Sequence, residues 1–339
     1  MIILTDCLSQ KVDEGCIKVA TTLANRIKEL YSDTVLVAYK NHSDKADENL
    51  DLNPLFLNSS IRKVLKKADS AVLYIPFASN TLASTLRTFM LSLINKKKVY
   101  VLFALRHQMN TLSRLLLKLS KATVIALSEQ SYTFYKQVAA DKVVYLKTGV
   151  DTKKFLPVDA DTKMKLRKKY SLPADKNIVL HVGHLNSGRN VQKLLNLDDN
   201  SHGVLVLSSV TKDERDLQLK EKLESSGKVT LIYDYIENIE EVYQFSDVYL
   251  FPVFEQGKCI DVPLSVLEAA SCNIPVICTE YGELKSFKNE KGFYFTDDFE
   301  YKNLNDMIGK ACFDSHSTRD AVADYDWEKS INRLMQLKD

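Results

Sequence analysis

The chain has 339 residues, 45% hydrophobic and 27% charged; at roughly 100–200 residues per domain this is two domains, and the composition excludes a disordered or fibrous chain. Lys and Arg number 46 and Asp and Glu 44, a net charge of +2, which argues against a dedicated nucleic-acid binder while leaving room for local basic patches. Six scattered cysteines, Cys7, Cys16, Cys259, Cys272, Cys278 and Cys312, form no C-x-x-C pair, which fits reduced thiols rather than a disulfide framework or a zinc site.

The sequence opens on a strand-like run, Met1-Ile2-Ile3-Leu4-Thr5-Asp6, with no basic segment and apolar core of a signal peptide before it. Its apolar runs, such as Val99–Leu105, are far shorter than the roughly 18 residues of a membrane span. A cytoplasmic protein is expected. Short β-branched runs predict strands at 2–5, 34–38, 71–75, 99–104, 124–127 and 143–147, then at 178–182, 203–208, 229–233, 248–251 and 276–278. Amphipathic segments between them predict helices, for example over 17–31, 82–94 and 213–224. Continuously apolar strands are buried on both faces, and strand–helix alternation implies βαβ units in doubly wound parallel sheets. No internal repeat or low-complexity tract is present.

A linker is expected around residues 149–175. Lys147-Thr148-Gly149-Val150-Asp151 has turn character, and a very polar stretch over 159–169 precedes a new apolar strand. The division expected is 1–150 and 151–324, with a C-terminal helix over 325–339. Two α/β domains of similar size leave a cleft, and open α/β sheets bind ligands at the carboxyl ends of their strands.

The segment 251–276 carries the most chemistry. A strand ends at Phe251-Pro252, a loop holds Glu255, Lys258 and Asp261, and Pro263 opens a helix containing Leu264, Val266, Leu267 and Glu268. A carboxylate between Leu267 and Ala269 is disfavoured by its apolar setting unless something donates to it. Either Glu268 receives ligand hydroxyls, or it is a helix-end or salt-bridge residue. This segment resembles the acidic donor-site motif of GT-B glycosyltransferases, in particular the retaining family four, the glycosyl transferases of group 1. There a loop Glu and a helix Glu followed by Ala bind the nucleotide-sugar. The resemblance implies that Glu268 holds the ribose hydroxyls and that Asp261, or else Glu255, meets the sugar.

Three further segments resemble the same family. Val182-Gly183-His184-Leu185-Asn186-Ser187-Gly188-Arg189-Asn190 is a strand end leading toward a helix near Val191, where backbone amides and a guanidinium suit a diphosphate. His184 stands where the family has Arg, and Arg189 where it has Lys. Thr148-Gly149-Val150-Asp151, followed by Phe155 and Pro157, is similar to the family's interdomain segment. Tyr325-Asp326-Trp327-Glu328-Lys329 is similar to the helix that crosses back to the N-terminal domain, with Trp327 as its anchor. The resemblance also implies that Ile236 lies at the base, that Leu264 and Gly183 belong to the donor-binding set, and that His107 lies beside the donor sugar. His107 is otherwise a satisfied loop histidine, and Arg189 an exposed helix-start residue. Gly15, in the turn Asp13-Glu14-Gly15-Cys16, is a reduced form of the family's glycine-rich turn.

The fold implied is GT-B, two Rossmann-like domains facing a cleft. The activity implied is transfer of a sugar from a UDP- or GDP-sugar to a hydroxyl acceptor with retention, in glycan, glycolipid or polysaccharide biosynthesis. No cofactor or metal is required beyond the donor substrate. The acceptor is a glycan or a lipid-linked one, and nucleic acid is not expected. Basic helix faces at Arg62, Lys63, Lys66 and Lys67, at Lys96-Lys97-Lys98, and at Arg114, Lys118 and Lys121 suit either solvent or peripheral contact with the inner membrane face. Two other readings stay open: a non-catalytic nucleotide-sugar-binding or partner subunit, and a GT-B nucleotide-sugar epimerase.

Overall fold

A computed structural model describes the whole chain except residues 9–14, 41, 54, 68–70, 186, 211–213, 234–235, 256, 258 and 338–339. The chain divides into two compact units. The first comprises Met1–Thr148 with Cys259–Val262 and Trp327–Asp339; the second comprises Gly149–Lys258 and Pro263–Asp326.

In the first unit the elements run β1 (Ile2–Thr5), α1 (Gly15–Leu30), β2 (Val35–Tyr39), β3 (Glu48–Leu50), α2 (Ser59–Lys67), β4 (Val72–Ile75), α3 (Leu82–Ile94), β5 (Val99–Leu102), α4 (Thr111–Leu119), β6 (Thr123–Ala126), α5 (Glu129–Ala139) and β7 (Val143–Tyr145). The seven strands form one sheet in the order β3-β2-β1-β4-β5-β6-β7, paired in parallel throughout. Every residue of β1, β4 and β5 is buried, the state of parallel strands with helices on both faces. Ser128 caps α5 by accepting from the Ser131 amide at 3.0 Å, and Asn110 caps α4 from Ser113 at 2.8 Å.

In the second unit α6 (Ala160–Lys169) precedes β8 (Asn177–Leu185), β9 (Ser201–Val210), α7 (Glu214–Ser225), β10 (Val229–Ile232), α8 (Glu240–Gln244), β11 (Val248–Phe251), α9 (Leu264–Ser271), β12 (Val276–Cys278), β13 (Phe293–Phe295), α10 (Tyr301–Phe313) and α11 (Thr318–Ala321). Its sheet has the order β10-β9-β8-β11-β12-β13, again all parallel. Gly149 takes φ 139, in the region that favours glycine, and the segment after it is fastened within this unit. Val150 bridges Asp326 in parallel, and the Arg319 guanidinium donates to the carbonyls of Thr152 (2.9 Å), Phe155 (2.9 Å) and Ser271 (2.6 Å).

The last helix, α12 (Trp327–Gln336), packs within the first unit. It buries Trp327, Ile331, Leu334 and Met335 along one face, and Tyr31 donates to Asn332 at 3.2 Å. An aromatic side chain of that size contributes roughly 2–3 kcal/mol on burial.

The structure differs from expectation at three places. Two edge strands, β3 and β13, were not foreseen. The sequence of β3, Glu-Asn-Leu, is half-exposed and lacks an apolar run, and both strands have only three residues. The helix expected near Val191 is instead a pair of short 3-10 turns, Ser187–Arg189 and Val191–Asn196, separated by Asn190 at φ 53. A left-handed residue interrupts the helical ladder, so the helix N-terminus invoked for anion binding is not formed there. Finally, Pro263 is the extended N-cap of α9 rather than its first residue.

Candidate functional site

Strand order in the second sheet reverses between β8 and β11, so the loops after these strands flank the topological switch point, where open α/β sheets take their ligands. Gly183 lies near the end of β8, before Leu185; Ser187–Arg189 and Asn190 follow that strand, and the loop after β11 runs from Pro252 to α9. Asn190 joins them: its side-chain amide donates to the Pro252 carbonyl at 3.0 Å. His184 is half-buried at a β-bulge between Gly183 and Leu185.

Arg189 is only 8% exposed. Among the described residues it has no carboxylate partner, and its Nε has no hydrogen-bond partner. Burying a guanidinium without a counter-charge is costly, so the arrangement is primed for an anion. Gly183 makes it possible: a Cβ there would lie 3.0 Å from Nη1 of Arg189 and 3.2 Å from Nε2 of His181. His181 is fully buried with its Nδ1 2.8 Å from the Leu250 carbonyl. Burial drives its pKa down to about 4, with the Leu250 bond opposing and Arg189 adding to the fall. The ring is therefore neutral near pH 7, Nδ1 carries the hydrogen, and Nε2 presents a lone pair.

Glu268 lies on α9 and is 2% exposed. Tyr243 of α8 donates its hydroxyl to the Glu268 carboxylate at 2.7 Å. Burial, followed by the Glu268 charge, holds the Tyr243 pKa well above its usual value, so this hydroxyl remains a donor. Tyr243 in turn packs edge-on against Phe155 and tilted against Tyr249. Leu264 is buried at the first turn of α9, and Ile236 is half-buried after β10.

The acids of the β11 loop separate. Glu255 is exposed in the second unit. Asp261 belongs to the first, 4% exposed, where it accepts from Ser128 at 3.2 Å and from Ser131 and lies 3.5 Å from Arg106 Nε. The Asp261 carboxylate is enclosed at the N-terminus of α5, where serine hydroxyls and the helix dipole hold a negative charge. The room above Gly15 is also filled by protein: a Cβ there would be 3.1–3.2 Å from three atoms of the Ile260 side chain. That glycine serves close packing of the 259–262 segment.

His107 is exposed beyond β5. Its backbone is clamped on both sides by the buried Asn80, which accepts from its amide and donates to its carbonyl, each at 2.8 Å. Asp13, Glu14, Asn186 and Lys258 lie outside the described residues. Among the described residues no group of three or more His, Cys, Asp or Glu side chains is placed to hold a metal. Sequence reasoning missed His181, Tyr243 and Asn80. Only for His181 was a signal present, since it alternates with Gly183 on one face of β8.

Residues 176–308 match the family model described as Glycosyl transferases group 1. The curated relative "Putative teichuronic acid biosynthesis glycosyltransferase TuaC" of Bacillus subtilis is 24% identical over 171 residues, which are 49% of this chain and 41% of that protein's length. Among solved structures, Anabaena Alr3699/HepE in complex with UDP aligns with a TM-score of 0.76 at 14% identity, covering 99% of this chain and 98% of that one. A glycosyltransferase from Rickettsia africae ESF-5 aligns with a TM-score of 0.77 at 16% identity, covering 99% and 97%. The fold is the GT-B fold expected from the sequence, with parallel sheets of seven and six strands.

Proposed function

From the group 1 glycosyltransferase match over residues 176–308, we propose that this protein is a retaining glycosyltransferase that moves a sugar from a nucleotide-sugar, a UDP- or GDP-sugar, to a hydroxyl acceptor. The observation that carries this reading is the buried, uncompensated Arg189 lying over Gly183 at the switch point of the second sheet. A fixed guanidinium in a low-dielectric setting stabilises the diphosphate more strongly as it departs with extra charge, which is how such a site lowers a barrier. Glu268, oriented by Tyr243, is assigned the ribose hydroxyls. Glu255, in the loop after β11, is assigned the sugar contact. Departure of the diphosphate is assigned to Arg189 without a metal.

The test is calorimetric titration with UDP, GDP, ADP, CDP and dTDP in the absence of metal, on the wild type and on Arg189→Ala. One nucleotide binding, and losing affinity in the variant, supports a donor site. Binding of none would leave a partner subunit as the better reading. Incubating the donor with and without acceptor, and reading the anomeric configuration of the product by NMR, separates a retaining transferase from an inverting one and from an epimerase.

The exposed leucines of the first unit favour a peripheral site for the protein. Leu112, Leu115 and Leu119 of α4 and Leu93 of α3 are 49–59% exposed, and Arg114, Lys118 and Lys121 stand exposed on or beside α4. Apolar side chains rimmed by cations suit an anionic bilayer, and hence the inner membrane face and a lipid-linked acceptor. No helix among the described residues is long and apolar enough to cross a membrane. Sedimentation with phosphatidylglycerol vesicles, retained with phosphatidylcholine ones absent, is the expected result; equal partition to both would refute it.

A further inference from the structure

His181 has no role in the donor-site reading above, yet its surroundings hold it in one orientation. It sits on β8 beside β11, and its ring is stacked with Tyr249 and Phe251 at interplanar angles of 19° and 24°. The Leu250 carbonyl between those two residues takes the Nδ1 hydrogen at 2.8 Å. The ring can neither flip nor tilt without losing that bond. Its other nitrogen, Nε2, is fully buried and has no hydrogen-bond partner among the described residues. Nε2 and Nη1 of Arg189 flank the same point above Gly183, within about 6 Å of each other. Nε of Arg189 is likewise without a partner. An acceptor without a partner, Nε2 of His181, and the Nη1 end of a guanidinium whose own Nε lacks a partner thus border the room that Gly183 leaves.

We propose that His181 is a positioning residue for Arg189: its fixed Nε2 lone pair steers the guanidinium so that the opposite edge faces the diphosphate of a bound nucleotide. A neutral acceptor suits this task better than a carboxylate. It orients the guanidinium without neutralising it, so the full charge stays available to the anion. Desolvation keeps the imidazole neutral, pushing its pKa down to about 4. The charged group facing His181 is Arg189, and the Tyr249 hydroxyl beside it is engaged with the backbone of Val182. This inference rests on the reading that Arg189 faces the donor diphosphate.

The experiment compares wild type, Arg189→Ala, His181→Phe and His181→Gln by calorimetry, with UDP and uridine or with GDP and guanosine as probes. His181→Phe keeps the ring volume and removes both nitrogens; His181→Gln returns an amide near the Nε2 position. The expected result is a tenfold or greater loss of diphosphate affinity in His181→Phe, nucleoside affinity within twofold of wild type, and substantial recovery in His181→Gln. In ¹⁵N-histidine-labelled wild type, the Nε2 resonance of His181 should move with the diphosphate and stay with the nucleoside, a readout that requires no variant to fold. Equal loss for both probes, full affinity in His181→Phe, or an unmoved Nε2 resonance overturns the proposal. If Arg189→Ala binds the diphosphate as tightly as wild type, the donor-site reading itself falls and takes this one with it.

Discussion

Replacing Arg189 by Met should stabilise the empty protein while weakening nucleotide binding. The side chain is 8% exposed, no carboxylate among the described residues compensates its charge, and its Nε is unsatisfied. A buried polar group without a partner costs about 1–3 kcal/mol. Met fills a similar volume with adaptable packing and no polar hydrogen to satisfy. The expected gain in the empty protein is about 1–2 kcal/mol, because an apolar replacement of an uncompensated buried charge is commonly stabilising. A charge-assisted contact to the diphosphate is worth about 1.5–3 kcal/mol, so nucleotide affinity should fall by roughly 10- to 150-fold. Urea unfolding without ligand measures the first effect and calorimetry with the selected nucleotide the second. A variant less stable than wild type by more than about 1 kcal/mol would refute the reasoning, because the guanidinium would then be a structural partner rather than a waiting anion site.

Three other outcomes are expected. His181 has a folded pKa of about 4, below its ordinary value of about 6.5, so the unfolded chain takes up a proton in this window while the folded one does not. Its contribution to stability is complete above about pH 6.5 and is lost toward pH 4 at up to about 1.4 kcal/mol per unit. Urea unfolding at pH 7, 6 and 5 should show that slope reduced in His181→Phe, and an unchanged slope would contradict it. Tyr243→Phe removes a donor from the buried Glu268 carboxylate and should cost about 1–3 kcal/mol. A double-mutant cycle with Glu268→Gln should return a coupling of at least about 0.5 kcal/mol, whereas additive costs would mean the two side chains do not interact. Asp261→Ala strips an acceptor from Ser128 and Ser131 and a charge from beside Arg106, so it should destabilise by about 2–4 kcal/mol with KM for the donor unchanged. A raised KM at unchanged stability would instead favour Asp261 as the sugar contact.

The alternation of apolar runs and amphipathic segments was enough to place eleven of the strands in the parallel sheets, because a strand buried on both faces declares itself within four or five residues, as Val72–Ile75 and Val248–Phe251 do. The three-residue, half-exposed β3 gives no such signal and passed for loop. Gly183 and Arg189 were legible because glycine followed by a basic residue after an apolar strand is a local pattern. Glu268 was legible as a carboxylate in an apolar helix. Its partner was not: Tyr243 is 25 residues away on another helix, and no periodicity links them.

The sequence by itself determined the alternating elements, the two parallel sheets they form and the short list of polar residues near strand ends. These follow from backbone periodicity and from the free energy of burying apolar runs, both of which act over neighbouring residues. Only the tertiary structure decided which of those residues are enclosed by protein. Asp261 and Glu255 stand six residues apart in one loop, yet one is enclosed by Ser128, Ser131 and Arg106 and the other faces solvent. Burial and hydrogen-bond partners belong to segments distant in the chain, so a side chain's availability is settled only when those segments come together.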